Sequence, residues 1–301
     1  MAKKVLVCNP IAEEAIEMLE DADLEVDQKF GMSKEELTEE VPPYHALVVR
    51  SSTKVRQPTI DAAENLEVIG RPGIGLDNID LDYAEDKGIS VYNTPTATTI
   101  SVAELVLTHI LASYRNIVAG TNSLRDGEWI KSELASNEIY EKTLGVIGYG
   151  NIGQAVAERA DAMGMDIIAF DVRDIEDPEP AEMVDIETIL EKSDVITIHV
   201  PHIESTHHLL SDDEFKKMKQ NATLVDCSRG GVVDEDALYE ALKNEEIRFA
   251  SKDVFEEEPP GEHKLFDLDN FHATPHIGAQ TEEGQIRAGT QAVEKIIDEL
   301  K

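Results

Sequence analysis

Cysteine, positive charge and long apolar runs are all scarce in this 301-residue chain. Its two cysteines, Cys8 and Cys227, lie far apart and form no metal-ligand spacing. That argues against a disulfide framework and fits a reducing cytoplasm. No stretch approaches the ~18 uninterrupted apolar residues of a transmembrane helix. The apolar run of MAKKVLVCNP is too short for a signal peptide and reads as a first strand. Lysine and arginine number 27 against 62 aspartates and glutamates, a net charge of −35. The acids run along the whole chain, as in EEAIEMLEDADLEVD and RDIEDPEPAEMVDIE. Such a surface repels phosphate backbones, so neither nucleic acid nor membrane is an expected partner. It also repels itself in dilute buffer, and at about 1 M salt the Debye length falls to ~3 Å. A host with high internal salt is therefore expected.

What is present is a repeated alternation. The length suits two domains of about 150 residues, and 41% hydrophobic content can fill two cores. KVLVC (4–8), ALVV (46–49), EVIG (67–70) and ISVY (89–92) read as buried strands with helical segments between them. Apolar strands alternating with helices predict an α/β fold with parallel sheets covered on both faces. From about Thr98 one long helical stretch runs through TISVAELVLTHILASYRNIVAGTNSLRDG, carrying Val102, Leu105, Val106, Ile110 and Leu111 as its apolar stripe. A second strand series follows: LGVIG (144–148), DIIAF (166–170), DVITI (194–198), ATLVD (222–226), RFAS (248–251) and FHAT (271–274). The final TEEGQIRAGTQAVEKIIDEL is helical and is expected to return to the first domain.

Strand LGVIG runs directly into Gly148, Gly150, Asn151, Ile152 and Gly153, and then into a helical segment. In that context GxGxxG is a dinucleotide turn. Its first glycine permits the bend, its second admits the pyrophosphate, and its third lets helix and strand pack closely. The helix N-terminal amides then face phosphate. Asp171 ends the next strand, where a carboxylate accepts ribose hydroxyls and repels a 2′-phosphate. The expected cofactor is NAD in preference to NADP. Arg173, two residues on, complicates this, because an arginine there can accommodate that phosphate.

Three later strands lead to polar residues: Arg229, Glu258 and His276. In open α/β sheets, ligands lie beyond the carboxyl ends of the strands. Arginine offers a planar fork to a carboxylate, and histidine exchanges protons near neutrality. A neighbouring glutamate orients the imidazole and stabilises its charged form.

These segments resemble the D-isomer-specific 2-hydroxyacid dehydrogenases over nearly the whole chain. The likeness is carried by RPGIGLDNID (71–80), SVAEL (101–105), GVIGYGNIG (145–153), DCSRGGVVDEDAL (226–238), DVFEEEP (253–259) and TPHIGAQT (274–281). It implies two Rossmann-like doubly wound domains: a discontinuous substrate-binding domain of 1–97 with 284–301, and an NAD-binding domain of 98–283. It also implies a homodimer built largely through the NAD-binding domain. Carried over by residue, Arg229, Glu258 and His276 are the catalytic set. Ser228, Asp253 and Gly278 fall on further cofactor positions. Arg50, Ser51, Gly73, Ile74 and Gly75 fall where the family grips its substrate.

The resemblance implies oxidation of a D-2-hydroxy acid, with His276 taking the hydroxyl proton and no metal involved. It runs furthest toward members that oxidise 3-phosphoglycerate on the way to serine, since Arg50 and Lys131 match their anion-binding positions. Pairing of both cations with nearby acids such as Glu128 and Glu133 is the alternative reading. The chain ends without the C-terminal regulatory domain such enzymes often carry, so a short form is expected. Glyoxylate/hydroxypyruvate reductase and D-lactate dehydrogenase are alternatives, and an NAD-binding corepressor is the non-enzyme alternative.

Overall fold

The computed structural model describes residues 2–301 and contains twelve strands in two parallel sheets. In chain order they are β1 (Lys4–Val7), β2 (Glu25–Gln28), β3 (Ala46–Val48), β4 (Val68–Arg71), β5 (Ser90–Asn93), β6 (Thr143–Ile147), β7 (Asp166–Phe170), β8 (Glu182–Met183), β9 (Val195–Ile198), β10 (Thr223–Asp226), β11 (Phe249–Lys252) and β12 (Phe271–Ala273). The parallel α/β fold expected from the sequence is borne out. Two compact units result, one running up to Ser101 and resuming at Ala279–Lys301, the other spanning Val102–Gly278.

The first unit carries the sheet β2-β1-β3-β4-β5. Strands β1, β3 and β4 are almost wholly apolar and buried, as a strand covered on both faces must be. One face packs Leu6, Leu47 and Ile69 against Leu37, Ile60 and Ile79. The other packs Val5, Val7, Val48 and Val68 against Leu19, Val293 and Ile296. The last group comes partly from the C-terminal helix Glu282–Leu300, whose entry is capped by the Thr281 side chain accepting from Gly284 N–H. Chain order reverses between β1 and β3, and the segments leaving these strands begin at Cys8 and Val49.

The second unit carries the sheet β12-β11-β10-β9-β6-β7-β8. Its two faces bury Ile196, Leu224 and Phe215 on one side and Val146, Val195 and Val225 on the other. Here the order reverses between β6 and β9, which marks the carboxyl ends of those strands as the place for a ligand.

Three details depart from the sequence reading. β2 (EVDQ) and the two-residue β8 carry no apolar signal, because both are polar, partly exposed edge strands. The single long helix expected after Thr98 is two, Thr99–Tyr114 and Ile117–Arg125. Asn116 separates them with φ of 51°, and its side-chain amide donates to Ala135 O at 2.9 Å. Asparagine tolerates this left-handed conformation better than most residues, so it breaks the helix without a glycine or proline.

Candidate active site

In the second unit, β6 ends at the Gly148 turn, and the helix Asn151–Ala162 begins immediately after Gly150. Gly148 has φ of +91°, and a Cβ there would lie 2.8 Å from the His199 carbonyl group. A Cβ on Gly153 would meet Gly148 O at 2.3 Å, so only glycine lets helix and strand approach this closely. Gly150 caps the helix without any side-chain hydrogen bond, leaving the first-turn amides to an outside acceptor. A pyrophosphate meets these requirements: a cradle that side chains would fill, lined by unspent N–H groups. Asp171 stands one residue past β7, its carboxylate accepting from Tyr149 N–H at 2.9 Å and from Arg173. The residues present therefore fit a dinucleotide.

His276 and Glu258 come together. Imidazole Nδ1 lies 2.8 Å from Glu258 Oε2, and the other carboxylate oxygen accepts from Phe255 N–H at 3.1 Å. The Glu258 hydrogen bond raises the His276 pKa above its ordinary 6.5, against the lowering effect of burial. Burial alone would raise the Glu258 carboxyl. The His276 hydrogen bond and charge, the Phe255 amide and the Arg229 charge together outweigh it and hold the carboxyl below the usual range. Each group thus stabilises the charged form of the other. Both side chains remain partly exposed, at 46% and 38%, as proton exchange with a ligand requires.

The loop carrying His276 is fixed from beneath by Asp253. Its Oδ1 accepts from Thr274 Oγ1 at 2.5 Å and Ile277 N–H at 2.8 Å, while Oδ2 accepts from Gly278 N–H at 2.8 Å. His109, from the helix Thr99–Tyr114, adds Nε2 at 3.1 Å from Thr274 Oγ1. Since that hydroxyl gives its proton to Asp253, His109 must be the donor, which fixes its tautomer. Burial lowers the His109 pKa and keeps it neutral. Asp253 and Gly278, expected as cofactor positions, are thus joined by direct hydrogen bonding. Nothing in the sequence marks His109, which sits inside an apolar helical stripe.

Arg229 and Ser228 leave the end of β10. Ser228 donates both its N–H and hydroxyl to buried Asp226, at 3.0 and 2.6 Å. Asp226 is held in turn by Lys252 Nζ at 3.2 Å, and that ammonium lies 3.3 Å from Glu235. Lys252 and Asp226 are fully buried. Glu235 extends the network by accepting from Glu256 N–H and approaching His263, both at 3.1 Å. A buried ionic set therefore ties the Arg229 turn to the segment leading to Glu258. Sequence reasoning misses Lys252, which reads there as an ordinary strand-end lysine.

The first unit holds the remaining expected residues. Arg50 follows β3 at the order reversal, its N–H donating to Asn9 Oδ1 at 2.7 Å and its guanidinium to Pro10 O at 3.3 Å. Asn78 holds the same segment through Arg50 O and Thr53 O, and Ser51 is exposed beside it. Gly73 N–H donates to Thr94 Oγ1 at 2.7 Å, which removes it from the donors open to a substrate. The amides of Ile74 and Gly75 find no acceptor among the described residues. Arg71 brings its guanidinium so close that a Cβ on Gly73 would lie 1.6 Å away. It opens the RPGIGLDNID segment, yet the sequence alone does not separate it from its neighbours. Lys131, in the second unit, is exposed and forms no ion pair with Glu128 or Glu133.

Residues 107–278 match the model of the D-isomer-specific 2-hydroxyacid dehydrogenase NAD-binding domain. The chain is 49% identical over 297 residues to a D-3-phosphoglycerate dehydrogenase of Methanocaldococcus jannaschii, covering 97% of this chain and 56% of that one. It thus spans about half the length of that relative. A hydroxypyruvate reductase of Thermotoga maritima is 48% identical, with 99% of this chain and 98% of that one covered. The crystal structure of the TT0316 protein from Thermus thermophilus superposes with a TM-score of 0.93 at 34% identity, covering 99% of this chain and 96% of that one. With the turn, the strand-end acid and the histidine–glutamate pair already in place, the chain belongs to the D-isomer-specific 2-hydroxyacid dehydrogenase family.

Proposed function

We propose that the protein oxidises a D-2-hydroxy acid, and reduces the matching 2-keto acid, with NAD as the redox partner. The carrying observation is the 2.8 Å contact between His276 and Glu258, in the same unit as the glycine turn. In the oxidative direction, neutral His276 takes the hydroxyl proton through Nε2, because Nδ1 faces Glu258. Glu258 keeps the ring oriented and stabilises the imidazolium that forms, a kind of help worth ~10²–10⁴-fold in rate. Arg229 offers its fork to the substrate carboxylate. Asp253 and Thr274 hold the His276 loop against displacement. Bound at the glycine turn, NAD supplies the hydride-accepting nicotinamide.

The substrate we assign is 3-phosphoglycerate. Arg50 follows β3 and Arg71 ends the neighbouring strand β4, just before the Ile74 and Gly75 amides, so this edge of the sheet carries cationic donors in a chain of net charge −35. A phosphate needs such donors. Hydroxypyruvate is the second reading, since the reductase from Thermotoga maritima matches over almost its whole length. Reactions in molar salt with NAD and 3-phosphoglycerate, trapping the keto product, are compared with NADH plus hydroxypyruvate, glyoxylate or pyruvate. Turnover of 3-phosphoglycerate well above the small acids is expected. Turnover of the small keto acids alone would refute the phosphate assignment and leave the proton chemistry standing.

We place the protein in a salt-rich cytoplasm, as a homodimer. Support for assembly comes from Ile117, Leu124 and Trp129, exposed at 58%, 61% and 80% in one stretch of the NAD-binding unit. Apolar side chains exposed together mark an interaction surface.

A further inference from the structure

We propose that Arg173 sets the cofactor preference, admitting NADP beside NAD by covering the Asp171 carboxylate and offering its guanidinium to the 2′-phosphate. The proposal rests on the dinucleotide reading of the Gly148–Gly153 turn.

The carboxylate that should exclude NADP is already occupied. Asp171 Oδ2 accepts from Tyr149 N–H and from Arg173 Nη2, each at 2.9 Å. Its Oδ1 accepts from Arg173 N–H and Nε, again each at 2.9 Å. Four donors fill the roughly four lone-pair directions of a carboxylate. Its side chain is only 6% exposed, while that of Arg173 is 62% exposed. An incoming phosphate therefore meets a guanidinium first, over an acid whose charge is balanced. A Cβ built on Gly150 would lie 3.6 Å from Arg173 Nη2, so the guanidinium stands at the mouth of the glycine turn.

The Arg173 side of the pair can swing into water, which solvates its guanidinium, while the Asp171 carboxylate stays covered by its backbone donors. If Arg173 swings outward, Asp171 keeps the Tyr149 and Arg173 backbone donors and gains room for two ribose hydroxyls. That is the NAD arrangement. With a 2′-phosphate present, the guanidinium keeps Nε and Nη2 on Asp171 and offers its Nη1 hydrogens to the phosphate oxygens, an arrangement that lysine cannot reproduce. Asp171 remains held by the same two amides. One residue thus serves both ligands, by leaving in one case and staying in the other.

Calorimetric titration with NADH and NADPH at one fixed molar salt concentration tests this without turnover. The unchanged chain should bind the two within about tenfold of each other. Arg173→Ala should weaken NADPH by about tenfold or more and NADH by less than about threefold, with Arg173→Lys between. An NADPH-to-NADH ratio unmoved by Arg173→Ala would overturn the proposal alone, as would NADH binding by the unchanged chain with none of NADPH. Binding of neither by the unchanged chain would overturn the dinucleotide reading, and the proposal with it.

Discussion

His276 and Glu258 shift one another in opposite directions, and the signs fix a pH window. A histidine raised above 6.5 stabilises the fold fully below that value, and the contribution fades as pH rises through the folded value. A carboxyl held below 4.5 contributes above that value and fades as pH falls through its own lowered one. The pair is therefore intact between about 4.5 and 6.5, and survives somewhat beyond each limit. Alcohol oxidation needs the neutral ring, so its kcat/KM should rise with pH through an apparent pKa above 6.5. Glu258→Gln keeps the shape and removes the charge. It should move that apparent pKa downward and cut the rate by about 10²-fold or more. A pH profile that stays in place would mean the carboxylate does not tune the histidine. Arg229, Glu258 and His276 are legible in the sequence because each follows an apolar strand. Arg71, His109 and Lys252 are not, since their roles depend on groups that only folding brings near.

At the scale of elements, Lys252 shows why some of the site stays hidden in a one-dimensional reading. It ends β11, faces Asp226 at the end of β10, and meets Glu235 from the helix Glu235–Lys243. Removing the ammonium leaves two buried carboxylates without their cation. Lys252→Met should cost ~3–5 kcal/mol, read by denaturant unfolding in molar salt. Adding Asp226→Asn should recover part of the loss. A change within about 1 kcal/mol for the single replacement would show that the network does not hold the two strand ends together. The buried strands are legible because parallel strands covered on both faces are continuous apolar runs. β2 and β8 escape for the converse reason, as polar edges, and Asn116 breaks a helix whose apolar stripe gives no warning.

For the whole molecule, the decisive quantity is 62 acids against 27 bases. Among the described residues most of these acids form no ion pair. The ion pairs formed, such as Lys29–Glu40 and Lys87–Asp61, are mostly exposed and contribute little each. Self-repulsion at low ionic strength is therefore largely uncompensated, and screening it should stabilise the fold. The melting temperature should rise between about 0.1 M and several molar KCl, with a dimer of 33.3 kDa chains expected at the upper end. An unchanged melting temperature would remove the halophilic reading. A monomer by sedimentation in high salt would remove the assembly. Among the described residues no helix is long and apolar enough to cross a membrane. The acidic balance is legible from composition alone, whereas the exposed Ile117, Leu124 and Trp129 need the fold.

Everything proposed for the chemistry turns on His276 transferring the substrate proton, and replacing that one side chain addresses it. His276→Ala is assayed for oxidation of whichever hydroxy acid the substrate comparison selects, with NADH affinity titrated on the same preparation. Turnover should fall by about 10²-fold or more, with NADH binding changed by less than about threefold. Turnover near that of the unchanged chain, with NADH still bound, would show that His276 does not carry the proton.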